Sequence, residues 1–192
     1  MAIESHADRT TVRWDEMYYV EGGVVTIGVV HREFTLRALE VYRGSPGVQD
    51  IIDRIENEGF YDRGVSIYVF HAGTKRDYLR FDCFEAEPHY HYHHLHALRD
   101  ADVAIEMGHQ KIDGHAESVT MNGYWHQVPF DAAANGDMRA WALERLRTRL
   151  PEMLVEAGQP DLARQVHMDA VRTALESAET LIYARPRVSD RL

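Results

Sequence analysis

A single cysteine, Cys83, stands among 192 residues. No disulfide can therefore close within the chain, and thiolates of one chain cannot build a zinc site. Long apolar runs are also missing. No stretch approaches the roughly 18 apolar residues of a membrane span, and Met1 to Thr11 holds no apolar segment of signal-peptide length. A reducing cytoplasm is the expected location, with no membrane partner. Positive charge is scarce: 21 basic residues face 31 acidic ones, a formal net charge of -10, and no basic stripe offsets it. Such a surface repels phosphate backbones, so no nucleic-acid partner is expected. The sequence has no glycine-rich phosphate loop, dinucleotide fingerprint, Gly-x-Ser-x-Gly elbow or His-Glu-x-x-His pair.

What remains is an ordinary soluble composition, 45% hydrophobic and 27% charged. The length suits a single domain over 1–192, with loosely held ends at 1–10 and 185–192. Thr11 to Val20 and Val24 to His31 read as strands joined by Glu21-Gly22-Gly23, and extended chain is expected on through Phe34, Leu36 and Ala38. Ser45 as N-cap, Pro46 in the first turn, the spacing of Val48, Ile51, Ile52 and Ile55, and Gly59 at the end predict a helix. Val65 to Phe70 and Asp77 to Phe84 read as strands about a turn at 72–75. Asn122-Gly123 marks a hairpin between Ser118-Met121 and Tyr124-Val128. From Asp131 the pattern is helical. One stripe runs through Met138, Trp141, Leu146 and Leu150, with a kink or restart at Pro151. A second helix runs from Asp161 to Tyr183, with a break near His167. Strands first and long helices last predict an α+β fold: a mainly antiparallel sheet of about five to seven strands, covered by one internal helix and C-terminal helices.

The chemistry concentrates in Pro88-His89-Tyr90-His91-Tyr92-His93-His94-Leu95-His96, where five of the 12 histidines fall. On a strand, alternate side chains share a face, so His89, His91 and His93 belong together. The preceding strand alternates in the same way, with Leu79, Phe81 and Cys83 apolar. A four-residue loop at 85–88 would set Cys83 opposite Tyr90, Phe81 opposite Tyr92 and Asp82 opposite His91. That register makes one face apolar and gathers Arg80, Asp82 and the histidines on the other. Two imidazoles and a carboxylate are a donor set for non-heme iron or catalytic zinc. A solvated strand face, or a buried hydrogen-bonded network, would use the same residues without metal. His126 is a further candidate ligand, although Val119, Met121 and Val128 around it suggest a core edge. Glu106 and His109 fall in 95–114, read as an inserted loop or flap, and His115 directly follows it. The cupin pattern, which shares His-x-His, lacks its nearby glutamate and glycine frame here. Cys83, on the apolar side, reads as an inert core thiol.

The string from Arg80 to Tyr92, with its Arg-Phe-Asp-Cys-Phe and Pro-His-Tyr-His-Tyr segments, resembles the signature of a family of uncharacterised bacterial proteins with no established activity. The likeness extends over Val12 to Tyr92 and His126 to Glu156. It implies that Asp82, His89 and His91 act as a unit, and implies nothing for His94, His96, His109 or His115.

Two functions follow from these readings. One is a metal-dependent enzyme acting on a small molecule, with iron or zinc held by Asp82, His89, His91 and His126. In that reading Arg80 orients an anionic group, and His93 serves as proton shuttle or extra ligand. The other is a non-catalytic interaction or regulatory protein, a homo-oligomer formed through the C-terminal helices.

Overall fold

The computed structural model describes residues 16–40, 43–44, 48–74, 77–93, 120–121 and 125–184. Seven antiparallel strands form one sheet in the spatial order β1-β2-β3-β4-β5-β7-β6. They are β1 (Tyr18–Gly22), β2 (Val25–Phe34), β3 (Asp62–His71), β4 (Asp77–Phe84), β5 (His89–His93), β6 (Thr120–Met121) and β7 (Trp125–Pro129). Five strands therefore pair in chain order, and only β6 and β7 exchange places. Gly23, at φ 81, supplies the left-handed residue that the first hairpin requires.

Among the described residues six helices accompany the sheet: α1 (Leu36–Leu39), α2 (Gln49–Glu58), α3 (Ala132–Asn135), α4 (Met138–Glu156), α5 (Pro160–Ala163) and α6 (Met168–Tyr183). α1 replaces the extended chain expected after Phe34. The Thr35 hydroxyl accepts from the Ala38 amide and caps a single turn there. α2 ends where expected, with Gly59 at φ 68. Ser45 and Pro46, read as its start, lie outside the described residues, as do 1–10, 95–114, 185–192 and the Asn122-Gly123 turn. α4 runs through Pro151 without ending, and the second C-terminal helix divides into α5 and α6, with His167 at the N-cap of α6. No helix among the described residues is long and apolar enough to cross a membrane.

The helices divide between the two faces of the sheet, instead of sharing one. Burial of both strand faces explains this: every residue from Val25 to Val30 in β2, and from Val65 to Phe70 in β3, is inaccessible. On one face Ile27, Val29, Ile67, Leu79, Phe81, Tyr90 and Val128 meet Trp141, Leu146 and Leu150 of α4 and Val171, Leu175 and Ile182 of α6. Trp141 is the hub, within 5.3 Å of the Tyr90 ring and 5.1 Å of Phe130 by centroids. Met138, Trp141 and Leu146 of the α4 stripe are thus spent in the chain's own core.

The opposite face carries two smaller apolar clusters. Met17, Val30, Tyr68 and Phe70 form one; Phe34, Leu39, Val48, Ile52 and Phe84 form the other, beneath α2. Gly64 lies opposite both Arg32 of β2 and Phe84 of β4. A Cβ there would fall on the Cys83 carbonyl oxygen and within 2.7 Å of the Phe84 ring, so the bare backbone is what lets Phe84 close over β3. Gly64→Ala must push backbone as well as side chain aside. It is expected to destabilise the fold by about 3 kcal/mol, at the upper end of overpacking costs, read as a lower urea midpoint at unchanged slope.

Candidate metal and polar centre

Between those two clusters the strand registers leave a polar patch. Ser66 of β3 pairs with Asp82 of β4, and Tyr68 pairs with Arg80. Across the hairpin, Asp82 stands opposite His89, Arg80 opposite His91, Phe81 opposite Tyr90 and Leu79 opposite Tyr92. This register is two residues away from the expected one, in which Asp82 met His91 and Cys83 met Tyr90. A slip of two keeps every side chain on its face, so the grouping survives while the partners change.

The cause lies in the loop. Pro88 has no N–H to continue the ladder toward Cys83. The amides of Ala86 and Glu87 donate instead to the Asp62 carboxylate, at 2.9 and 3.0 Å. The hairpin pairing therefore stops at Asp82 and His89, and the Pro88 carbonyl accepts from the Phe130 amide.

Asp82 is the node. It is 1% exposed, and five side chains converge on it. Arg80 Nε lies 2.8 Å from Oδ2, with His91 Nε2 at 3.1 Å and His89 Nε2 at 3.2 Å from the same oxygen. Ser66 donates to Oδ1 at 2.5 Å, and Arg32 Nη1 donates to it at 3.3 Å. The Arg32 guanidinium sits over the Phe34 and Phe84 rings at 5.2 and 5.3 Å. Burial alone would push the Asp82 carboxyl up. The charges of Arg80 and Arg32 outweigh that and hold it well below the usual carboxylate range. It is an anion at neutral pH.

His91 is driven the other way. Burial, and then the neighbouring Arg80 charge, push its imidazole well below the ordinary value against the opposing pull of Asp82, so it is neutral at pH 7. Its Nε2 accepts from Arg80 Nη2 at 2.7 Å, which commits that nitrogen to a lone pair. His89 is oriented by its other nitrogen: Nδ1–H donates to the Glu87 carbonyl at 2.6 Å. One ring nitrogen each of His89 and His91 and one Asp82 oxygen lie within 4.8 Å of one another, so the three residues could hold a metal ion. His89 is the one of the three that solvent reaches, at 14% side-chain exposure.

Of the other sequence candidates, Arg80 belongs to the centre, but as a buried partner of Asp82 and His91. His93 stands opposite Trp125 on β7, and His126 opposite Tyr92. Both side chains lie outside the described residues. Glu106, His94, His96, His109 and His115 also lie outside them. Cys83 is buried, and burial pushes its thiol well up, as an inert core thiol requires. Two members were missed by sequence reading, Arg32 and Ser66. Arg32 did carry a signal: a charge at the parity of Val30 and Phe34, both apolar, on a Val- and Ile-rich strand. Behind the sheet, a cleft of about 720 Å³ is lined by His31, Arg63, Cys83, Arg139 and Tyr183. Its charged groups already pair locally, Arg63 with Glu85 and Arg139 with Asp137, and it does not reach the Asp82 centre.

The fold and this centre define a class: an α+β domain with a buried carboxylate, arginine and histidine cluster at mid-sheet. The chain belongs to a family described as a domain of unknown function (DUF7700), whose model matches residues 19–122 and 113–182. No curated protein and no solved structure matches it.

Both shifted groups carry a pH signature. His91 binds no proton in the folded protein where the unfolded chain, with a histidine pKa near 6.5, begins to bind one. Its contribution is present above that pH and is lost as pH falls below it, at up to about 1.4 kcal/mol per pH unit. Asp82 adds a second loss below about pH 4, the unfolded carboxyl value. Urea unfolding of metal-free protein between pH 7 and 5 should show the first slope, and His91→Gln should flatten it.

Proposed function

We propose that this protein is a metal-dependent enzyme acting on a small molecule, with Asp82, His89 and His91 as protein ligands to a divalent iron or zinc ion. One observation carries the reading. Glu87 fixes the proton of His89 on Nδ1, and Arg80 fixes the lone pair of His91 on Nε2. Both Nε2 atoms nevertheless face Asp82 Oδ2, at 3.2 and 3.1 Å. Arg80 supplies positive charge beside these atoms, and a divalent cation that took the place of its N–H at His91 would satisfy all three at once. The donor set is that of an open site, with two imidazoles and one carboxylate leaving coordination positions for substrate. Bound iron would supply oxygen chemistry; bound zinc would supply a water of lowered pKa. Asp82 and the neutral His91 are in the protonation states that ligation needs. His89, the solvent-reached member, is where a small molecule would reach the centre.

A second reading rests on Arg80 itself. Its guanidinium donates to His91 and forms an ion pair with Asp82, so Arg32, Ser66, Asp82, Arg80 and His91 also close as a metal-free polar network. Such a network specifies how β2 to β5 meet and performs no reaction.

The readings part on metal content. Protein purified without a nickel column should contain stoichiometric iron or zinc by elemental analysis, and His89→Ala with His91→Ala should remove it. Protons compete for the same nitrogens, so chelator should lower Tm by about 5–10 °C near pH 7.5 and by much less near pH 5.5. Metal-free protein whose Tm ignores chelator at both values would leave the network reading in place.

A further inference from the structure

We infer that Asp62 is a positioning residue for the Asp82 centre, acting through the 85–88 loop to set the tautomer of His89. Asp62 opens β3, away from the histidines in sequence, and nothing in its local pattern marks it. It is 1% exposed, and its carboxylate accepts three backbone amides: Arg63 and Ala86 at Oδ1, at 2.8 and 2.9 Å, and Glu87 at Oδ2, at 3.0 Å. The first bond is local to β3. The other two tie β3 to a loop whose residues 85–87 are exposed.

The consequence runs through Glu87. Its amide is held by Asp62, and its carbonyl receives His89 Nδ1–H at 2.6 Å. A carbonyl only accepts, so the ring proton must sit on Nδ1 and the lone pair on Nε2, the nitrogen facing Asp82. Shifting or rotating the 87–88 peptide would free Nδ1 and let the proton move to Nε2. Asp62 thus does for His89 what a carboxylate or carbonyl behind a metal-bound histidine does, one peptide removed. The side chain of Glu87 has a separate tie, to Arg54 at 2.6 Å, but that pair is exposed and screened.

Asp62→Asn separates these roles. The amide oxygen can keep two of the three acceptances, but an NH₂ group then faces the Glu87 N–H, and the bond that orients the Glu87 carbonyl is the one lost. In ¹⁵N-resolved NMR of the imidazoles, the neutral His89 ring of the wild-type protein is expected to carry its proton on Nδ1. The Asp62→Asn ring is expected to be a mixture of tautomers, and Arg54→Met should keep the wild-type state. On the metal reading above, from which this second readout follows, zinc affinity by titration should fall about 10- to 100-fold in Asp62→Asn and remain unchanged in Arg54→Met. Should Asp62→Asn fail to fold, the wild type still decides. The Ala86 and Glu87 amides must be protected from hydrogen exchange despite their exposed loop, and His89 must be the Nδ1–H form. A wild-type ring protonated on Nε2, rapid exchange of those amides, or an Asp62→Asn ring unchanged from wild type would each overturn the inference. Absence of zinc binding by the wild type would overturn the metal reading alone and leave the tautomer result to judge Asp62.

Discussion

The structure turns on one buried anion. A carboxylate removed from water costs several kcal/mol unless charges and donors replace its hydration. At Asp82 they come from Arg32, Ser66 and Arg80, with His89 and His91 packed against the same carboxylate, so that β2, β3, β4 and β5 all contribute. Because these groups are spread over four strands, the carboxylate is satisfied only when all four are in register. A shift of one residue in any pairing would turn a charge into the Trp141 core and bring an apolar side chain to Asp82. The polar centre therefore selects among the registers that hydrophobic burial alone would tolerate.

The apolar clusters on either side make that selection matter. Phe34 and Phe84 pack edge to face and the Arg32 guanidinium lies against both, and Tyr68 stands 5.8 Å from that of Arg80. Low polarity around the cluster strengthens each bond inside it and raises the cost of losing one. The same burial keeps His91 neutral, while Arg80 and Arg32 keep Asp82 charged against it. Gly64 belongs to this arrangement, since its bare backbone admits the Phe84 ring that shields Arg32.

Much of the fold could be read along the chain. Gly59 ended α2, Asp77 to Phe84 and His89 to His93 marked their strands, and the break at His167 fell where expected, each from local stereochemistry or periodicity. The elements that escaped were set by competing contacts. Leu36 and Ala38 alternate as in a strand, yet the Thr35 cap makes a helical turn. The hairpin register moved by two because Asp62, about 25 residues away, takes the amides that the ladder would have used. The helices fell on both faces because β2 and β3 bury both, and continuous apolar runs do not tell which helix covers which side.

For the candidate centre, the chain by itself determined the face. Alternation on β4 and β5 puts Asp82, His89 and His91 on one side and Phe81, Cys83, Tyr90 and Tyr92 on the other, and that follows from the period of two in any extended strand. Only the tertiary structure decided who touches whom. Arg32 and Ser66 come to Asp82 through pairings across 50 and 16 residues, and Asp62 reaches the 85–88 loop from the far end of β3. Periodicity reports which way a side chain points. Register between strands distant in sequence depends on the sum of many contacts, so it emerges only when the sheet is assembled.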